Sequence, residues 1–244
     1  MKPTPISPPD PAPLLAFGAH PDDIEFGCGG VIARETHAGR PVHLVVCSRG
    51  EAGTNGTPAQ RTREAKAAAK ILGATIEFLH LDGDAHLEIR AAHALRLASI
   101  IRRVRPGIVL APTLEQNQHP DHWRLSTLVR DAARLARYGG LKELRRAKPH
   151  AIDQLFFYAV SPEAEPRDVT PVYIDVSDVH HIWYDAMVAH KSQLTKARPY
   201  HLLKMAHASV LGQRLGFPAA QALWPNDPLV FDSLAPLTRS GRRF

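Results

Sequence analysis

Two short segments of the sequence combine histidine and aspartate in a way that suits metal and acid–base chemistry. The first is Ala19-His20-Pro21-Asp22-Asp23, and the second is His119-Pro120-Asp121-His122. Zinc in proteins binds imidazole nitrogens and carboxylate oxygens, and a catalytic zinc site uses three protein ligands so that one position stays open for water. The two segments therefore indicate a candidate catalytic metal site, provided that the fold brings them together.

The spacing of these residues suggests a ligand set. His20 and Asp23 are three residues apart in one turn, so both side chains can reach one ion, and His122 supplies a third ligand from the second segment. One carboxylate and two neutral imidazoles leave a divalent ion net positive, which lowers the pKa of its bound water towards about 7. We expect Zn²⁺, although Fe²⁺, Mn²⁺ and Co²⁺ accept the same donors and availability in the cell selects among them.

The three remaining polar residues have the types that proton transfer needs. Asp22 adjoins a predicted ligand and is expected to act as the general base. His119 is expected to stabilise an oxyanion and to protonate a leaving amine, with the Asp121 carboxylate orienting its ring and favouring its charged form. The alternative is that the aspartates only cap the helices that follow them. Two such dense clusters at matched positions favour catalysis, and the set suits hydrolysis of an amide.

Alternating apolar runs and helical patterns indicate which elements position the two segments. The predicted strands are 14–18, 42–48, 75–79, 108–111, 155–160 and 172–174, and the predicted helices are 24–38, 59–72, 87–104, 121–137, 179–194 and 199–215. This alternation predicts an α/β fold: a Rossmann-like, mostly parallel, twisted sheet with helices on both faces. With strand order 3-2-1-4 at the core, both His/Asp segments follow neighbouring strands, at the sheet edge where ligands bind.

Length and composition indicate one folded domain. The chain has 244 residues, of which 44% are hydrophobic and 22% charged, and α/β folds of this length often form a single domain. We interpret residues 1–13 as a flexible Pro-rich tail and residues 14–244 as the domain. No apolar run has the length of a membrane span, and the tail lacks an export signal, so a cytoplasmic location without a membrane partner is expected. The net charge of +6 suits an anionic small substrate, and no nucleic-acid-binding motif accompanies it.

At the two His/Asp segments the chain resembles the LmbE/PIG-L family of zinc N-deacetylases. The resemblance extends over most of the chain from residue 14, and Gly27-Cys28-Gly29-Gly30 is also similar to the family signature. It implies a Rossmann-like fold and a homo-oligomer. The site residues that it implies are the zinc ligands His20, Asp23 and His122, the base Asp22, and the acid and oxyanion stabiliser His119 with its supporting Asp121.

A further stretch is similar to members that act on N-acetylglucosamine conjugates, above all the bacillithiol-type enzymes that act on N-acetylglucosaminyl-malate. It comprises residues 50–57 (Gly-Glu-Ala-Gly-Thr-Asn-Gly-Thr), Arg61 and Glu64. By this resemblance Arg61 contacts the substrate, and a helix-surface arginine is the alternative. Arg49 and Asn55 are additional candidates for substrate binding.

Three other stretches carry expectations. Ala189-His190-Lys191-Ser192-Gln193 is similar to a family segment, and His190 either supports the site or packs within a helix. Asp82-Gly83-Asp84 is a turn after the third strand that is expected near the rim of the pocket. Near the C-terminus, Ala219-Ala220-Gln221 stands where the bacillithiol-type members have Tyr-Ala-Glu. This stretch is expected to wall the pocket or form subunit contacts, and its departure leaves the substrate open.

The sequence as a whole predicts a metal-dependent hydrolase. The expected reaction removes the N-acetyl group from an N-acetylglucosamine conjugate, such as a GlcNAc-malate-like small glycoside, by attack of zinc-bound water on the amide. One alternative is a zinc amidase for another small N-acyl or thiol-conjugate substrate. The other is a non-enzymatic Rossmann-like module with a structural metal, in which the fourth coordination position would be closed.

Overall fold

Seven strands form one sheet in the computed structural model, which describes residues 11–195 and 199–241. The strands are β1 (Leu14–Gly18), β2 (Val42–Val46), β3 (Thr75–Phe78), β4 (Ile108–Pro112), β5 (Gln154–Tyr158), β6 (Val172–Asp175) and β7 (Ala220–Pro225). The helices are α1 (Asp23–His37), α2 (Pro58–Ile71), α3 (Ala91–Val104), α4 (Pro120–Ala136), α5 (His180–Val188) and α6 (Tyr200–Leu215). The sheet order is β3-β2-β1-β4-β5-β7-β6, which confirms the predicted 3-2-1-4 core.

The first five strands are parallel because each of β1 to β4 is followed by a helix that returns the chain across the sheet. All five residues of β1 are buried, so this strand is covered on both faces. Leu15 and Phe17 pack in one cluster with residues of α3 and α4, whereas Leu14 and Ala16 pack in a second cluster with residues of α1, α2 and α5. The helices thus occupy both faces and leave the carboxyl ends of the strands free for a site.

Helix α1 is interrupted at Cys28, whose φ of −144° and ψ of 20° are not helical. The backbone N–H of Val31 donates to Oε1 of Gln221 at 2.9 Å, so a side chain from β7 binds the helix just after the interruption. Close packing explains the neighbouring glycines: a Cβ on Gly27 would lie 2.1 Å from the Tyr158 ring. The Gly-rich signature therefore serves the packing of α1 against the sheet.

Two predicted helices are shorter in the structure. The helix predicted over residues 87–104 begins at Ala91, because Asp82 accepts a hydrogen bond from the N–H of Glu88 at 3.1 Å and holds the preceding residues as a loop. The helix predicted over residues 179–194 begins at His180 and ends at Val188, and a 3₁₀ turn follows over Lys191–Gln193.

Strand β7 is absent from the predicted elements, and the stretch 219–221 leads into it. It pairs antiparallel with β5 and β6. Gln221 is buried against α1, so the expectation that this stretch walls the catalytic pocket is wrong. The physical reason is that β7 is defined by pairing with strands far away in sequence, which local patterns do not report.

The predicted N-terminal tail ends earlier than residue 13. The carbonyl of Ala12 accepts a hydrogen bond from Arg40 at 2.7 Å, and that of Pro13 accepts one from the N–H of Gly107 at 3.0 Å. Residues 1–10 lie outside the described part of the chain. Within the described ranges, no helix combines the length and apolar character that crossing a membrane requires.

Candidate active site

The two His/Asp segments meet at the carboxyl ends of β1 and β4. These strands are paired in parallel, so the turns that follow them leave the same edge of the sheet. The ring centroid of His20 lies 4.5 Å from that of His119 and 5.3 Å from that of His122. Residues about a hundred positions apart in sequence are thus neighbours in the fold, as the strand order predicts.

The local backbone aims both segments into this crevice. Asp22 has a φ of 109°, a region in which Asp and Asn occur more often than most other residues, and α1 begins at the next residue. In the second segment, His119 caps α4 by accepting a hydrogen bond at Nδ1 from the N–H of Asp121 at 3.3 Å. Asp23 and Asp121 each lie in the first turn of a helix, where the helix dipole stabilises a carboxylate.

The three predicted ligands converge on the Asp23 carboxylate. His20 Nδ1 lies 3.4 Å from Asp23 Oδ2, and His122 Nε2 lies 3.1 Å from Asp23 Oδ1. All three side chains are less than a tenth exposed. One imidazole thus contacts each oxygen of the Asp23 carboxylate, and two imidazoles with one carboxylate are the donor types of a catalytic zinc site.

Two other ligand sets overlap with this one at His20. Nitrogens of His20, His119 and His122 all lie within 4.8 Å of one another, and so do a nitrogen of His20 and oxygens of Asp84 and Asp121. We favour the set with Asp23 because its carboxylate lies between both buried imidazoles, whereas the side chain of His119 is 39% exposed. Measurements of metal affinity in variants of the individual residues can distinguish these three ligand sets.

The charges of the cluster fit a bound cation. Carboxylates of Asp23, Asp84 and Asp121 all lie within 3.4 Å of His20, and each is less than a tenth exposed. Burial by itself lowers the pKa of His20, but these carboxylates raise that pKa well above its usual value. A concentration of buried negative charge requires a positive group in its midst, and a divalent cation held by His20, Asp23 and His122 would supply it.

Asp22 lies beside the predicted ligands and in contact with Arg61. Burial, followed by the neighbouring Asp23, raises the pKa of Asp22 to about 6, against the opposing effects of His190 and Arg61. Arg61 Nη2 donates to the carbonyl of Pro21 at 2.9 Å and lies 3.5 Å from Asp22 Oδ1. The arginine thus orients the turn that carries the predicted base.

His119 presents its Nε2 to the cavity. Because Nδ1 accepts a backbone hydrogen bond, the neutral ring carries its proton on Nε2. Burial, followed by the nearby His20 and His122, lowers the pKa of His119. The arrangement suits a neutral hydrogen-bond donor for a carbonyl oxygen, rather than the charged imidazolium expected from the sequence.

The Asp121 carboxylate differs from its expected position beside the His119 ring. Its Oδ2 lies 3.3 Å from His20 Nε2 and accepts a hydrogen bond from the N–H of Ala85 at 2.7 Å. The physical reason is that Asp121 lies in the first turn of α4 and projects towards β1, while its backbone N–H binds His119. Asp121 therefore also contacts a predicted metal ligand. Its charge acts to raise the pKa of His119, as expected, but its backbone N–H rather than its carboxylate binds the His119 ring.

Asp84 is a site residue that the sequence analysis assigned only to the rim of the pocket. Its Oδ1 lies 3.0 Å from His20 Nε2, and its Oδ2 lies 4.0 Å from Arg61 Nη1. Carboxylates that bind the far nitrogen of a ligating histidine fix the ring and its tautomer. The Asp-Gly-Asp turn in the sequence indicated a polar loop after β3. The local sequence does not show that Asp84 reaches across β2 to His20.

A polar cavity of about 330 Å³ opens over this cluster. Its lining residues include Ala52, Gly53 and Thr54 of the loop that precedes α2, together with Arg61. Arg61 therefore reaches the cavity as expected. Arg49 and Asn55 are exposed and are not among the described residues that line it, although the Asn55 carbonyl accepts a hydrogen bond from Gln193 at 2.8 Å.

The segment 190–193 holds this loop in place. Ser192 binds the Glu64 carboxylate with its N–H at 3.0 Å and its hydroxyl at 2.6 Å, and it packs against Gly56 so closely that a Cβ there would lie 2.6 Å from Ser192 Oγ. His190 is buried with its Nε2 3.4 Å from Glu25 Oε1. It lies between α5 and the 3₁₀ turn rather than within a helix, and its charge acts to lower the pKa of Asp22.

Replacement of Ser192 should loosen the loop that precedes α2 and lines the cavity, without a direct effect on the predicted metal ligands. We expect Ser192→Ala to lower the free energy of unfolding by about 1.5–3 kcal/mol, typical of a lost hydrogen bond to a charged group, and to raise KM about fivefold with a smaller change in kcat. Steady-state kinetics and urea unfolding measure both. Ser177→Ala is a matched control, because Ser177 Oγ binds Asp175 at the same 2.6 Å away from the cavity. Equal KM values for the two variants would contradict the role of the segment.

The fold and the His/Asp cluster together define the class of protein. It is an α/β enzyme with a His/Asp centre at the carboxyl ends of the strands of a mostly parallel sheet. The comparisons with known proteins agree. The family described as "PIG-L: GlcNAc-PI de-N-acetylase" matches residues 15–133. Diacetylchitobiose deacetylase of Thermococcus kodakarensis is 31% identical over 198 residues, which cover 74% of this chain and 69% of that protein.

Two further similarities extend this result. A conserved protein of Thermus thermophilus has a crystal structure with a TM-score of 0.80 and 31% identity, covering 93% of this chain and 99% of that one. 4-Oxalmesaconate hydratase of Pseudomonas putida is 34% identical over 140 residues, which cover 52% of this chain and 54% of the hydratase. The chain belongs to the PIG-L (LmbE) family of N-deacetylases.

Proposed function

We propose that the protein is a metal-dependent N-deacetylase that acts on an N-acetylglucosamine conjugate. The observation that carries the proposal is the placement of Asp22: its carboxylate lines the same cavity as His20, Asp23, His119 and His122. A general base must lie within reach of the water that it activates, and that water must lie within reach of the carbonyl. The named activity of the T. kodakarensis relative, diacetylchitobiose deacetylase, supports the same reaction.

His20, Asp23 and His122 would hold the metal, and we propose Zn²⁺, with Fe²⁺, Mn²⁺ or Co²⁺ as alternatives for the same donors. The bound cation supplies Lewis acidity towards the amide carbonyl and a lowered pKa for water. Asp84 and Asp121 contact the opposite side of His20 and hold its ring in place. A ring fixed in this way would bind the ion with little loss of side-chain freedom.

Asp22 and His119 divide the remaining chemistry. Asp22 accepts a proton from the attacking water and, as a carboxylic acid, returns it to the departing nitrogen. We thus propose Asp22 for the proton donation that the sequence assigned to His119. His119 donates a hydrogen bond from Nε2 to the carbonyl oxygen as negative charge develops there. Water and amide are thereby converted into acetate and a protonated amine, with no proton gained or lost by the protein over the cycle.

The substrate class follows from the cavity and from the relatives. Arg61, Thr54 and Asp84 offer donors and acceptors that suit sugar hydroxyl groups. Residues 50–57 support the narrower proposal of a GlcNAc-malate-like small glycoside, and the 1D-myo-inositol 2-acetamido-2-deoxy-α-D-glucopyranoside deacetylases among the relatives support a small glycoside in general.

A hydration reaction is the second candidate. The P. putida relative is named a hydratase and is 34% identical over the part that aligns. A base beside a metal centre suits addition of water to a double bond as well as attack on an amide. The two reactions differ in their products, because hydrolysis of an N-acetyl sugar releases acetate and a primary amine.

The deciding experiment is an assay with matched substrates on metal-loaded protein. We expect acetate release from N,N′-diacetylchitobiose and other N-acetylglucosaminides, loss of that activity after chelation, and recovery on addition of Zn²⁺. Unsaturated dicarboxylic acids should show no loss of their ultraviolet absorbance. Hydration of such acids without any acetate release would replace the deacetylase proposal by the hydratase.

A further inference from the structure

A second cavity lies on the other side of Asp22. Its volume is about 190 Å³, and it is lined by Asp22, Phe26, Val160, Gln193 and Tyr200. Asp22 also lines the polar cavity over the predicted metal ligands. The carboxylate proposed as the base is therefore a wall that both cavities share, and a group that reacts beside it can extend into either one.

The two cavities differ in chemistry. The rings of Phe26 and Tyr200 lie 5.6 Å apart and, with Val160, make the second cavity largely apolar. The Gln193 amide nitrogen already donates to the Asn55 carbonyl at 2.8 Å and to Ser192 at 2.9 Å. The second cavity thus offers hydrocarbon surface, whereas its neighbour offers an arginine, a threonine, imidazoles and carboxylates.

The carbonyl carbon of an N-acyl amino sugar carries two substituents that match these two surfaces. One is the nitrogen with its sugar, which is polar, and the other is the acyl chain, which is not. We propose that the second cavity binds the acyl chain of the substrate and admits chains longer than acetyl. This inference rests on the proposed amide hydrolysis, in which water adds to the carbonyl carbon, the C–N bond breaks, and a carboxylate and an amine are released.

The size of the cavity favours a chain longer than a methyl group. Its volume is many times the roughly 10–15 Å³ that one water molecule needs. An acetyl methyl would leave most of the apolar surface wet. Each further methylene that becomes buried should improve transition-state binding about three- to fourfold.

The test compares N-acetyl, N-propionyl and N-butyryl glucosamine on the metal-loaded protein. For the wild type we expect kcat/KM to rise with chain length, to about tenfold for butyryl over acetyl. Val160→Phe fills the cavity and should lower this butyryl-to-acetyl ratio at least tenfold. Val210→Phe, on the exposed face of α6, should leave the ratio at the wild-type value. A wild-type ratio at or below one, or an unchanged ratio in Val160→Phe, would overturn the proposal.

Two further outcomes separate the failure of this inference from that of the proposed function. If Val160→Phe instead lowers turnover of N-acetyl disaccharides relative to the monosaccharide, the cavity binds a sugar and the acyl assignment is overturned while deacetylation stands. If the wild type hydrolyses no N-acyl glucosamine, the proposed function fails. Ligand-observed NMR with butyrate then tests whether the second cavity binds an acyl chain. The proposal requires that butyrate binds to the wild type and not to Val160→Phe. Equal binding to both proteins overturns it.

Discussion

Asp22→Asn should lower kcat for deacetylation by about 10²–10⁴-fold, the usual contribution of general acid–base catalysis, with an unchanged metal content. The asparagine keeps the size of the side chain and tolerates the φ of 109° at this position, so the backbone turn should survive. It cannot accept the proton from water. Steady-state kinetics and metal analysis of the same sample measure the two quantities.

Asp178→Asn is the matched control for this variant. The Asp178 side chain is 80% exposed and pairs with Arg34 on the surface, so its replacement should leave both kcat and metal content at wild-type values. Wild-type turnover in Asp22→Asn would remove this residue from the role of base. Loss of the metal from Asp22→Asn would instead show that the Asp22 carboxylate is a metal ligand.

Asp23→Asn should have the largest effect on metal binding. Its Oδ2 lies 3.4 Å from His20 and its Oδ1 lies 3.1 Å from His122, so the substitution removes the negative charge that both imidazoles face and replaces one of these oxygens by an amide nitrogen. We expect the affinity for Zn²⁺ to fall by more than the roughly 10–100-fold that is typical when a carboxylate behind a ligand is lost. Competition with a chromophoric chelator at fixed pH measures this change.

Asp84→Asn is the comparison that distinguishes the overlapping ligand sets. Its carboxylate contacts the other nitrogen of His20, so its loss should weaken binding only about 10–100-fold. The reverse ranking, with tight binding in Asp23→Asn and weak binding in Asp84→Asn, would place the ion among His20, Asp84 and Asp121 instead.

Sequence reasoning predicted the core of the fold because its signals are local. Buried strands, long amphipathic helices and the turns between them can be found within short windows, and the β-α-β connection restricts how they assemble. The strand order 3-2-1-4 then brings His20 and His122 together without further information. The convergence of the two His/Asp segments was therefore predictable.

The features that sequence reasoning did not find depend on partners remote in the chain. Strand β7 is defined by its pairing with β5 and β6, and α5 ends at Val188, ahead of the 3₁₀ turn in which Ser192 binds Glu64. Asp84 reaches His20 from the loop after β3, at the edge of the sheet. The Asp121 carboxylate contacts His20, whereas the Asp121 backbone N–H binds His119. Each is a choice among several possible hydrogen-bond partners, and only the assembled fold decides it.

Anomalous diffraction at the zinc edge, on crystals of the metal-loaded protein, would locate the ion relative to the two His/Asp segments. We expect one strong peak per chain, with His20, Asp23 and His122 as the protein ligands, the Asp22 carboxylate beside the open coordination position, and Asp84 and Asp121 in contact with the His20 ring but not the ion. A peak between His20, Asp84 and Asp121 that excludes Asp23, or a peak whose ligands close every coordination position, would contradict this expectation.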